Sequence, residues 1–314
     1  MKKLMFVLMA GMVAFSSCSS RKSNEIIIFH AGSLAVPMAR LAEEYMSANP
    51  DIKIVTEAAG SLVSARKITE LGKPCDIMAS ADYQIIDNML IPEYASWNLG
   101  FATNEIVIAY TDKSRYNQQI TSENWFEILQ RGDVVYGRSD PDSDPCGYRT
   151  LLMLKLAEKV YEMPGLTGVF ETKDRSFIRP KETDLTALLE AGAVDYVFQY
   201  RSVAVQHGLL YINLPPSINL GSTLFSEKYQ EVSQDVVGSK PGEKISIQGD
   251  YIMYGITILK EAPNREAAER FLAFLAGKRG SEILAGTGQN PITPPIISGT
   301  GKIPAIVLDA IQGR

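Results

Sequence analysis

EIIIFHAGSLAVPMARLAEEY (residues 25–45) and IKIVTEAAGSLVSARKITELG (residues 52–72) carry the same four letters, Ala31-Gly32-Ser33-Leu34 and Ala59-Gly60-Ser61-Leu62. Each passage opens on an apolar, β-branched run, turns at Gly-Ser, and continues with helical spacing. Residues 25–30 read as a strand buried on both faces. Beyond the turn, Leu34, Met38, Leu41, Ala42 and Tyr45 mark one face of a helix, with Pro37 in its first turn, where a missing N–H costs little. Residues 52–57 and 62–71 repeat the unit, and Gly72 stops the second helix. Residues 76–80 are a third short strand. Strands alternating with helices at this spacing predict α/β architecture and a parallel sheet with right-handed crossovers.

In such a sheet the loops after the strands gather at one edge, where ligands bind. Two adjacent Gly-Ser turns would set two helix N-termini side by side there. Each offers unpaired N–H groups and partial positive charge, each serine adds a donor, and glycine lets the backbone approach closely. The pair reads as half of an anion cage. Read singly, Ser33 and Ser61 are ordinary helix caps.

Further along, strands are expected over 105–110, 134–137, 194–200 and 253–259. Helices are expected over 125–130, 151–161, 185–190 and 265–276, with another beginning near 281. Residues 291–304, rich in Pro, Gly and Ile, read as an ordered loop over the surface. Between strand and helix lies Arg138-Ser139-Asp140-Pro141-Asp142-Ser143-Asp144-Pro145-Cys146-Gly147-Tyr148-Arg149. Asp144 fits an N-cap with Pro145 at the first helical position. The alternate carboxylates do not make a calcium loop, because counted from Asp140 the required glycine and glutamate are missing. Glu182 stands immediately before a helix, where its plain role is to favour the helix dipole.

The 314 residues are enough for two domains. A net charge of −5, with no basic run longer than a pair such as Arg21-Lys22, argues against nucleic-acid binding. Met1-Lys2-Lys3, the apolar stretch Leu4 to Phe15 and Ser16-Ser17-Cys18 have the layout of a secretory signal. Phe15-Ser16-Ser17-Cys18 resembles a bacterial lipobox, which would make Cys18 the lipidated first residue of the mature chain. The plainer alternative is a signal peptide cut near Ser17. Residues 1–24 are thus expected to be signal peptide and lipid-anchored tether, and the protein to be exported, periplasmic or at the cell surface. No later segment is apolar for long enough to be a transmembrane helix. Cys75 and Cys146 are expected to be free thiols, since a bridge across a moving cleft would lock it.

FHAGSLAVP, EAAGSLVSARKITELGK, DIMASADY, SDPCGYRT and DYVFQYRSVAVQHG together resemble the tungstate/molybdate-binding proteins of archaeal-type ABC transporters, from about Ile26 to Pro291. The resemblance implies a periplasmic-binding-protein-like fold of two α/β lobes with the ligand cleft between them. Residues 25–105 and 251–314 would form the first lobe and 106–250 the second. It implies oxyanion contacts from Gly32, Ser33, Ser61, Asp144, Pro145, Cys146, Glu182 and Tyr200. Asp144 and Glu182 would each give an oxygen directly to Mo or W, completing six-coordination around the oxo groups. Hard carboxylates suit a hard, high-valent metal and repel sulfate and phosphate. The implied partners are an ABC permease and its ATPase, with the membrane reached through Cys18. The protein would be a monomer without a cofactor.

Two other readings stand beside this one. One is a carrier of another oxyanion or of ferric ion; a ferric site could use Tyr200, Asp144 and Glu182, but it leaves the Gly-Ser pair without purpose. An enzyme with Ser33 or Ser61 as nucleophile would need a histidine base, and His30 and His207 are the only histidines. Neither serine lies in Gly-x-Ser-x-Gly. A binding protein is the expectation, not an enzyme.

Overall fold

The computed structural model describes residues 24–238 and 242–313. Except for its final residue, the stretch expected to be signal peptide and tether, with Cys18, lies outside the described residues. In chain order the strands are β1 (Glu25–Ala31), β2 (Lys53–Ala59), β3 (Ile77–Ser80), β4 (Trp97–Thr103), β5 (Ile106–Tyr110), β6 (Tyr136–Ser139) and β7 (Ile178–Arg179). They continue with β8 (Tyr196–Tyr200), β9 (Leu210–Asn213), β10 (Ser233–Val237), β11 (Lys244–Gln248), β12 (Met253–Ile258) and β13 (Asn290–Gly299). One sheet has the order β13-β4-β12-β3-β1-β2, a second β7-β6-β8-β5-β9, and β10 pairs with β11 in a separate hairpin. The chain passes between the sheets twice, after β4 and before β12. The two passages lie together, with Asn104 N donating to the Ile252 carbonyl at 3.2 Å.

Neither large sheet is purely parallel, contrary to the sequence expectation. β1, β2 and β3 are parallel, while β4, β12 and β13 pair antiparallel. In the second sheet β6 is parallel to β7 and β8, and β5 is antiparallel to β8 and β9. The helix-linked strands gave the parallel pattern; the strands that carry the chain between sheets return in the opposite sense.

The stretch read as a surface loop, 291–304, is largely strand. β13 runs along the sheet edge with an irregular register between Pro291 and Ile296. Prolines are tolerated at edges and bulges because no inward N–H is required there. β4, β9 and the β10-β11 hairpin escaped the sequence reading as well. The helix read over 151–161 begins at Pro145, behind the Asp144 cap that the sequence suggested, and the helix read over 185–190 begins at Glu182.

Both sheets are buried by apolar side chains. Ile26 and Ile28 of β1 and Ile256 of β12 are fully buried, in one core with Phe271, Leu272 and Leu275 of the helix Arg265–Ala276. Around the second sheet Trp125 packs on Phe170 and Phe198 with ring centroids 5.5 and 6.1 Å apart. This core fixes where the strand ends fall, and the candidate site is built from those ends.

Candidate functional site

In the parallel pair β1-β2, Ala31 stands opposite Ala59. Gly32-Ser33 and Gly60-Ser61 therefore leave the sheet abreast, which explains the duplicated turn. Neither serine is a helix cap. Ser33 lies inside the 3-10 turn Gly32–Leu34, and Ser61 is the first residue of the helix Ser61–Thr69, capped by Gly60. Both are fully buried.

Their hydroxyls are held by donors from behind. Asn104 Nδ2 donates to the Tyr254 hydroxyl at 2.7 Å, and Tyr254 donates to Ser33 Oγ at 3.0 Å. Ala81 N donates to Ser61 Oγ at 3.0 Å. Each serine oxygen thus has a lone pair occupied while its own proton stays available. An arrangement of that kind presents O–H donors to an anion.

The other wall comes from the second sheet. After β6 the chain turns into the helix Pro145–Val160, where Asp144 is the N-cap and accepts from Cys146 N at 3.3 Å. Its second oxygen accepts from Glu182 N at 2.7 Å, so Asp144 fastens the start of the helix Glu182–Glu190 to its own. Gln199 Nε2 donates to the Glu182 carbonyl at 2.8 Å and its Oε1 accepts from Tyr200 N. Glu182 and Tyr200 are thereby placed from β8 as well.

Glu182 is fully buried, yet neither carboxylate oxygen has a hydrogen-bond partner among the described residues. The Tyr200 hydroxyl is likewise buried and unpartnered. A β-carbon on Gly32 would lie 3.1 Å from Glu182 Oε1, which puts the carboxylate against the first Gly-Ser turn. A β-carbon on Gly60 would lie 2.0 Å from the Ser143 carbonyl oxygen and 3.1 Å from that of Pro180. The loops leading to Asp144 and Glu182 therefore close directly over the second turn. Burial, reinforced by the neighbouring Glu182 charge, pushes the Asp144 carboxyl well above the usual carboxylate range. Burial also pushes up the Cys146 thiol, leaving it neutral.

Gly32, Ser33, Ser61, Asp144, Pro145, Cys146, Glu182 and Tyr200 thus converge from two sheets on one buried place. Pro145 has no N–H to offer, and that of Cys146 is engaged by Asp144. A buried acid pair set beside the two Gly-Ser turns makes a poor site for a simple anion and suits one whose central atom accepts oxygen ligands.

A family model for bacterial extracellular solute-binding proteins matches residues 26–289. The chain belongs to this family. An uncharacterised solute-binding protein of Petrotoga mobilis is 46% identical over 292 residues, 93% of this chain and 91% of its own. The molybdate/tungstate-binding protein WtpA of Thermococcus kodakarensis is 41% identical over 345 residues, 99% of this chain and 95% of its own. Among solved structures, the periplasmic molybdate-binding protein of Azotobacter vinelandii shares the fold, with a TM-score of 0.61 at 15% identity. That superposition covers 84% of this chain and 98% of the other.

Several residues that shape the site of this solute-binding protein were missed from the sequence. Tyr254 sits in a strand that reads as plain core, and Asn104 and Gln199 reach their partners only through the fold. Cys75 and Cys146 are free and buried. Among the described residues no helix is long and apolar enough to cross a membrane.

Proposed function

We propose that this solute-binding protein captures tungstate or molybdate between two lobes and presents it to an ABC permease driven by its ATPase. The observation that carries the reading is the Glu182 carboxylate, buried and unpartnered beside Asp144 and the two Gly-Ser turns. Leaving a buried carboxylate without a partner is costly. A Mo(VI) or W(VI) centre removes that cost by accepting one oxygen from each carboxylate. Ser33, Ser61 and Tyr200 then donate to the oxo groups. Sulfur in sulfate accepts no such ligands, so sulfate gains only the hydroxyl donors and meets the negative charge of the acid pair uncompensated.

The lobes are taken as residues 25–105 with 251–314, and residues 106–250. The chain acts as an exported monomer held to a membrane by lipid on Cys18, and binds without catalysing a reaction. The 41% identity to a molybdate/tungstate-binding protein supports the choice of ligand. A ferric carrier, the second reading, would give the paired serine donors nothing to bind.

Calorimetric titration of ligand-free protein with tungstate, molybdate and sulfate tests this. Tungstate or molybdate should bind tightly and sulfate weakly. Ser33→Ala and Ser61→Ala should each weaken tungstate binding by roughly 10–100-fold, the equivalent of a charge-assisted hydrogen bond. Ser64→Ala, further along the second helix, should bind like wild type. Preference for sulfate, or serine variants that bind like wild type, would overturn the reading.

A further inference from the structure

Behind the serines lies a buried cluster of charged groups that makes none of the proposed ligand contacts. Asp82 follows β3 of the first sheet, and Arg149 lies in the first turns of the helix Pro145–Val160 on the second. Both are fully buried, and Arg149 Nη2 is 2.7 Å from Asp82 Oδ2. The Tyr148 hydroxyl donates to the same oxygen at 2.6 Å. Arg149 Nη1 donates to the Asp250 carbonyl at 2.8 Å, and Asp250 Oδ2 accepts from the Tyr83 hydroxyl at 2.7 Å. The cluster joins the first lobe, the second lobe and the passage that precedes β12.

It also abuts the site. Ala81, next to Asp82, donates to Ser61 Oγ. Arg149 shares its helix with Pro145 and Cys146. An ion pair within one lobe would be a fixed part of the fold, whereas a pair shared by two lobes would separate with them if they opened. In an open protein water solvates both ions. In the closed arrangement each is stripped of water and the other is its only opposite charge in the cluster's ion pair, so on this reading loss of one partner penalises closure.

We propose that Asp82 and Arg149 form a closure latch: a positioning pair, made when the lobes shut, that slows release of the bound oxyanion. The latch rests on the reading of the chain as a two-lobed oxyanion carrier. A second contact between the lobes, from Arg66 Nη2 to the Asp142 carbonyl at 2.6 Å, lies at the exposed edge, where water competes with it. The buried pair is the one shielded from solvent.

Stopped-flow release of tungstate, with melting of the ligand-free protein alongside, tests the latch. Asp82→Asn and Arg149→Met should each speed release on the order of 100-fold while association stays near wild type. Arg149→Lys, which keeps the charge, should restore part of the residence time. The double variant Asp82→Asn with Arg149→Met leaves no unpaired ion and should release more slowly than either single variant. Ligand-free melting temperatures should match wild type. Wild-type release rates in both single variants would overturn the latch. A single variant that melts early or fails to fold without ligand would overturn it too, by placing the pair in the ligand-free fold. Wild-type protein that takes up neither tungstate nor molybdate would instead overturn the ligand reading on which the latch rests.

Discussion

Asp144→Asn and Glu182→Gln are each expected to weaken tungstate binding by about 100-fold or more and to make sulfate more acceptable. Even outer partners of metal ligands carry roughly 10–100-fold in affinity, so loss of a direct ligand should reach at least the upper end. The amides keep the shape of the acids but donate poorly to a high-valent metal. If the carboxylates only capped helices, neutralising them would remove repulsion and tighten every oxyanion, tungstate included. The two readings differ in sign, and titration of both variants with tungstate and sulfate at fixed ionic strength separates them.

Asp144→Asn should also change how ligand-free stability depends on pH. The folded-state pKa of Asp144 lies above its unfolded value because of burial and the Glu182 charge. Its contribution is therefore fully present below the unfolded pKa and is lost as pH rises through the folded one. The asparagine variant has no such group, so wild type should lose stability relative to it as pH increases. Chemical denaturation of both proteins across that range reads the difference.

Gly60→Ala is expected to weaken tungstate binding by about 10–100-fold, the equivalent of the roughly 1–3 kcal/mol that overpacking costs. Gly60 has φ −58 and ψ 142, a conformation open to alanine, so the backbone itself is not the obstacle. The obstacle is the Ser143 carbonyl oxygen, 2.0 Å from the added carbon, and a backbone atom has little room to yield. Both loops that bring the carboxylates would be held off the second Gly-Ser turn. Gly32→Ala should do less, since its close neighbours are the side-chain atoms Glu182 Oε1 and Thr183 Oγ1, each 3.1 Å away. Calorimetry on both variants gives the affinities. Equal losses, or a ligand-free melting temperature that falls as far as the affinity, would mean that the loops pack on Gly60 permanently and not on closure.

The part of the site that follows from local pattern was legible in the sequence. Residues 25–45 and 52–72 declare strand, turn and helix through periodicity alone, and the matched AGSL letters correspond to a matched register, Ala31 opposite Ala59. Asp144 before Pro145 likewise announces a capped helix, and the structure has that cap. What could not be read depends on contacts between distant segments. The support that Tyr254 and Asn104 give Ser33 joins residues far apart in the chain. Glu182 taken alone suggests a dipole partner in a first turn, and only its burial marks it as unusual. β13 was hidden because Pro291, Pro294 and Pro295 read as loop, while a sheet edge accepts them.

X-ray absorption at the tungsten edge of the tungstate complex is the most direct measurement of the carboxylate site. Two carboxylate oxygens added to the oxo groups should enlarge the coordination shell beyond that of free tungstate and change the edge shape accordingly. Asp144→Asn and Glu182→Gln should each shrink that shell. A spectrum from the wild-type complex that superimposes on that of free tungstate would contradict direct coordination by Asp144 and Glu182.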